Sequence, residues 1–247
     1  MPTETVFQTP FRRSPPAELL QAGFAQDLPD IPVLPKTLLC LELMAQGACV
    51  DLREMTQLVL GDLGATLQIL RLAGREYGDE EGRPVRMEDC IVDLGLEACL
   101  KAVSTQMATD DGPHHAIAKF WDHCREIAQQ SRLLAEEMPE VNPGEAYLVG
   151  LLHAIGLLPK LLGWREPGGA DGALAGLRLA TRWSLPPCAT EFFGEMHRNG
   201  YAACWSWVVR KAHQRANRSR ARCPFAQCFR PHLLRDEYEQ PEPAGYQ

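Results

Sequence analysis

Residues 148–158 read LVGLLHAIGLL, ten apolar residues around a single polar side chain, His153, which is followed by Ala154. Pro143 lies five residues upstream, where a proline suits the first turn of a helix, so the spacing predicts an apolar helix running from there through the histidine. The run is too short to cross a bilayer, because His153, Pro159 and Lys160 interrupt it well before the roughly 20 residues a span needs. A helix apolar on every side belongs in the middle of a protein. The remaining segments are expected to pack around this one.

Working outward, almost every segment has helical length and period. AIAKFWDHCREIAQQSRLLAEEM, from Ala116, places Phe120, Cys124, Ile127, Ser131 and Leu134 on one face. Downstream, ALAGLRLATRW and LPPCATEFFGEMH lead into YAACWSWVVRKAHQRANRS, where Trp205, Val208, Val209, Ala212 and Ala216 share a side and Arg210, Lys211 and Arg218 lie outside it. Upstream, glycines are expected to end helices at Gly47, Gly61 and Gly74, Asp51 caps the second of them, and Gly95 separates two short helices. SPPAELLQAGFA reads as a further helix capped by Ser14. Alternating strand patterns are absent over any useful length, so the predicted fold class is all-α. One stretch resists helix: LPDIPVLP, 28–35, holds three prolines in seven residues and is expected to be an extended connector whose Leu28, Ile31, Val33 and Leu34 can still pack.

Composition narrows the functional classes. The 247 residues are 45% hydrophobic and 23% charged, as in ordinary globular proteins. The N-terminus has no secretory h-region, so a cytoplasmic location without membrane contact is expected. Nine scattered cysteines then read as buried free thiols, and only Cys223 and Cys228, in CPFAQC, have a spacing that invites a metal. The net charge of −7 is uneven: no Asp or Glu occurs between Met196 and Arg235, where Arg210, Lys211, Arg215 and Arg218 form a candidate anion-binding set. The overall acidity argues against nucleic acid. No G-x-S-x-G or Walker phosphate loop is present, and the acids of GDEEG, 78–82, lack the alternation of a calcium loop.

Six blocks in order, LPDIPVLP, LQILRLAGREYG, CIVDLGLEACLKAV, FWDHCREIAQQSRLLA, AYLVGLLHAIGLL and LAGLRLATRWSLP, resemble the HDOD domain, the HD-related output domain of bacterial signalling proteins, over about residues 18–215. The resemblance implies a two-lobed helical bundle whose C-terminal lobe is related to HD-type phosphohydrolases, and a regulatory role without turnover. The corresponding divisions are a flexible segment at 1–13, an N-terminal lobe at 14–110, an HD-like lobe at 111–218, and a basic, then loose, tail at 219–247. The chain departs from the family where Gly74 and Arg75 replace a common Asn-Ser, where Gly172 replaces a common histidine, and where Met196 and His197 stand for paired histidines.

An HD phosphohydrolase fixes its metal with a first histidine, a His-Asp pair and a distant Asp. His123 and His153 match the two histidine positions, Ala154 replaces the acid of the pair, and the basic segment offers no distant acid. Two imidazoles without a carboxylate suit Mg²⁺ or Mn²⁺ poorly. The expectation is therefore no bound metal or cofactor, no catalytic residue, and His123 and His153 as a hydrogen-bonded structural pair. Function falls to contacts with signalling proteins, through a groove between the two lobes lined by the helix of His153 and by the connector, with Leu28, Pro29, Ile31, Pro32, Leu34 and Pro35 as the candidate surface. The alternatives are a divergent HD-type metal-dependent phosphohydrolase and a nucleotide or nucleic-acid binder using the basic segment. Homo-oligomerisation and the signal that the chain receives are left open.

Overall fold

The computed structural model describes residues 31–46, 51–77, 86–104, 114–164, 172–198 and 204–219, except the side chains at 114, 115 and 217–219. The expected terminal segment, the Ser14-capped helix, Leu28, Pro29, GDEEG, Cys223, Cys228 and the tail beyond 219 lie outside them. The architecture is all-α, and no strand occurs among the described residues.

After an extended entry, α1 spans Pro35–Gln46, α2 Leu52–Leu60, α3 Leu63–Tyr77, α4 Met87–Leu94 and α5 Leu96–Ser104. Then come α6 at His114–Ala135, α7 at Pro143–Leu152, a 3₁₀ turn at Ile155–Leu157, α8 at Leu158–Leu161, α9 at Gly172–Arg182, α10 at Pro187–His197 and α11 at Cys204–Ser219. Asp51 caps α2 by accepting from the Arg53 and Glu54 amides, and Gly95, at φ 81°, separates α4 from α5 as its residue type allows. Asn142 caps α7, accepting from Gly144 and Glu145, with Pro143 in the first turn. Asn142→Ala is expected to lower stability by about 1 kcal/mol in a thermal melt. No change would show that the cap is dispensable in this packed setting.

Two helices end elsewhere than the glycine spacing suggests. Helix α3 passes through Gly74 to Tyr77, because this glycine admits a neighbour: a Cβ there would stand 2.5 Å from the Trp183 carbonyl oxygen. The central stretch is also not one helix. Helix α7 stops at Leu152, and His153 turns its Nδ1 to the Gly150 carbonyl at 2.7 Å, after which the chain continues through the 3₁₀ turn into α8. Leu148, Val149, Leu151, Leu152, Ile155 and Leu158 are buried on both sides of the break, so the central position holds although the helix does not.

Helix α3 joins the two halves. The core runs without interruption from Ile31 and Leu67 to Trp121, Leu151 and Phe192. Along α3, the Arg71 guanidinium lies 5.1 Å from the Trp183 ring, and at its start Asp62 accepts from the Trp121 indole Nε1 at 2.9 Å. Tyr147 on α7 donates to the Leu60 carbonyl at 3.0 Å. The face foreseen for α6 is the buried one, with Phe120, Cys124, Ile127, Ser131 and Leu134 all at 4% exposure or less.

Candidate functional site

Three helices bring one histidine each to a common point. His123 comes from the middle of α6, His153 from the residue that closes α7, and His213 from the third turn of α11. Their ring centroids lie 4.9–5.2 Å apart, and one nitrogen from each falls within 4.8 Å of the other two. His153 and His213 are buried, and His123 is partly so.

The hydrogen bonds set the tautomers. The Gly150 carbonyl can only accept, so the proton of neutral His153 is on Nδ1 and its Nε2 carries a lone pair. The 3.2 Å contact between His213 Nε2 and His153 Nε2 is then made by His213 donating. Burial lowers the His123 pKa to about 4. Burial, and then the nearness of His123, lowers that of His213 to about 3. His153 is held well below the usual imidazole range by burial and by its two histidine neighbours, against the opposing Gly150 bond. All three rings are neutral at pH 7, the form that ligates metals.

The expected His123–His153 pair is thus part of a triad. The third member, His213, comes from the C-terminal segment in which the sequence has no acid. A signal for it existed: His213 follows Val209 by four residues and precedes Ala216 by three, on the apolar stripe of α11. Among the described residues no carboxylate joins the cluster. Ala154 is 3% exposed and offers no ligand. The oxygen-preferring metal of an HD hydrolase does not fit this set. The cavity beside His153, lined also by Gly156, Phe192, Phe193 and Met196, leaves about 10 Å³ for the centre of a water molecule. That is room for about one water.

The other candidate residues lie apart from the triad. Of the connector, Ile31 is fully buried, Pro32 and Leu34 are partly exposed and Pro35 is exposed. On the basic helix, Arg215 makes a two-pronged contact with Glu137, at 3.0 Å for Nη2 to Oε2, and Lys211 Nζ lies 5.7 Å from the Trp207 ring centroid. Arg210 is exposed, and the side chain of Arg218 lies outside the described set. No helix among the described residues is long and apolar enough to cross a membrane.

Comparison with known proteins bears on the fold and the family. No curated protein matches the chain. Among solved structures, the MmoQ response regulator from Methylococcus capsulatus is similar at 21% identity with a TM-score of 0.58, over 76% of this chain and 88% of that one. A longer fragment of the same regulator gives 0.57 at 21% identity, covering 82% and 92%. A virulence factor from Campylobacter jejuni is similar at 18% identity with a TM-score of 0.50, over 81% and 78%. These likenesses carry the fold alone. Residues 31–163, more than half of the sequence, match the HDOD domain, and the chain belongs to that family.

Proposed function

We propose that the chain is a non-enzymatic signalling module that acts by binding another protein. The observation that carries this reading is the buried Ala154 at the place of the metal-bridging acid, next to a cavity with room for about one water. Small-molecule sites ordinarily enclose on the order of 300 Å³ or more. Membership of the HDOD family supports a place in signalling.

The contact region follows from exposure. Pro32, Leu34 and Pro35 present part of the connector, and on the adjoining α1 Leu39 and Leu43 are 57% and 59% exposed, four residues apart on one helix face. Exposed leucines at that spacing suit an apolar partner face. The nucleic-acid reading is weaker, because Arg215 and Lys211 already contact Glu137 and Trp207 within the fold.

Two measurements test the proposal. The purified chain is expected to release no phosphate from nucleotides or phosphodiesters with Mg²⁺, Mn²⁺ or Zn²⁺. Metal-dependent hydrolysis that His153→Ala abolishes would overturn it. Leu39→Asp with Leu43→Asp is expected to keep the helical spectrum and to lose a partner that the parent chain retains from its native cells; undiminished retention counts against this surface.

A further inference from the structure

We propose that His123, His153 and His213 form a binding site for one divalent ion of the zinc class, which ties α6, α7 and α11 together. The inference goes beyond the signalling reading and stands whether or not the chain binds a protein partner. It rests on the geometry and the chemistry of the donors.

Zinc is held by imidazole nitrogens at about 2.0–2.1 Å, and a tetrahedral arrangement at that length sets neighbouring nitrogens roughly 3.3 Å apart. The His153 and His213 Nε2 atoms already stand at 3.2 Å. In the metal-free protein a proton lies between them. An ion replaces it when the proton of His213 moves to Nδ1, leaving both rings neutral and both Nε2 lone pairs directed at the metal. One nitrogen of each of the three rings lies within 4.8 Å of the others, so a small swing of the partly exposed His123 ring closes the set.

The surroundings fit a ligand set as well. His153 donates Nδ1–H to the Gly150 carbonyl, the outer bond that ordinarily fixes the orientation of a metal-binding histidine. A three-histidine zinc site takes a water as its fourth ligand. Mg²⁺ and Mn²⁺, which prefer oxygen, are disfavoured by three nitrogens and no carboxylate, whereas Zn²⁺ and Co²⁺ suit imidazole. The loss of the His-Asp acid therefore changes the metal preference of this position without ending its capacity to bind.

The test uses the full chain stripped with a chelator and then titrated with Zn²⁺ in excess Mg²⁺. The expected result is one Zn²⁺ per chain retained through gel filtration. The melting temperature should rise by about 5–10 °C at a hundredfold excess over Kd, with no rise from Mg²⁺ alone. Co²⁺ should give the visible absorption of a four-coordinate site. His123→Gln and His213→Gln, made separately, are each expected to weaken Zn²⁺ by roughly 100-fold. If the buried His213 variant fails to fold, the His123 variant decides. Because nine cysteines offer competing thiolates, the parent is also titrated with Cys223→Ser and Cys228→Ser in place, where unchanged affinity is expected. Failure to retain one equivalent, or retention unaffected by a folded histidine variant, overturns the proposal. Zinc retained without phosphoester hydrolysis supports the site and leaves the signalling reading standing; zinc retained with hydrolysis supports the site and removes that reading.

Discussion

Asp62→Ala is expected to lower the unfolding free energy by about 3–5 kcal/mol, the cost of leaving several neutral donors that converge on one buried carboxylate without their acceptor. Asp62 is 0% exposed and satisfies donors from three elements. Its Oδ2 accepts from the Leu34 amide at 2.8 Å, which anchors the proline-rich connector. Its Oδ1 accepts from Gly64 and Ala65 at 2.9 and 3.2 Å, which caps α3, and from Trp121 Nε1 at 2.9 Å, which holds α6. Burial pushes the carboxyl pKa up, and these donors, with the Thr37 hydroxyl, pull against that push. Alanine leaves three buried N–H groups and the partly buried Leu34 amide without their acceptor, each buried one costing on the order of 1–3 kcal/mol before relaxation. An asparagine side chain would keep one acceptor oxygen and set an NH₂ against donors, so Asp62→Asn should fall between parent and alanine. Urea unfolding measures all three. A loss below about 1 kcal/mol for Asp62→Ala would mean that water takes over the carboxylate's bonds and that the connector is held by Ile31 and Val33 instead.

The same residue shows what the sequence could and could not disclose. An aspartate before LGATLQIL has the pattern of a helix cap, and local capping can be read from a few neighbours. That its second oxygen would reach back 28 residues to Leu34, and its first forward 59 to Trp121, depends on packing that no local pattern encodes. The distinction holds elsewhere. The all-α class, the buried face of α6, the cap at Asp51, the helix start at Pro143 and the break at Gly95 rest on spacing and terminators, and they were legible. Gly74 was not, since its glycine answers a close approach by Trp183 and not a helix end. Nor was the stop at Leu152, which follows from a histidine turned onto its own helix. At the candidate site, His123 and His153 were legible as a pair through the family pattern. His213 was legible only as a histidine on the apolar stripe of α11; that it meets His123 and His153 depends on how α11 packs against α6 and α7.

Gly156→Ala is the second substitution with a large expected effect, a loss of about 1–3 kcal/mol from overpacking. Gly156 lies in the 3₁₀ turn after the histidine, and a Cβ there would stand 1.9 Å from the Gly172 carbonyl oxygen and 2.8 Å from the Gly176 amide nitrogen. Both are backbone atoms of α9, so no rotamer change relieves the clash and the start of the helix must move. Gly172→Ala is the matched control, because its Cβ meets only the Leu157 Cδ2 at 3.7 Å, an ordinary contact. It should stay within about 0.5 kcal/mol of the parent. Gly156 and Gly172 both line the cavity beside His153, but only the Gly156 substitution clashes with backbone and so displaces α9, which alters the wall next to His153. The alanine variant should therefore weaken Zn²⁺ binding as well as stability, while Gly172→Ala leaves both near the parent values. Equal melting curves for the two variants would show that α9 is not seated on the turn.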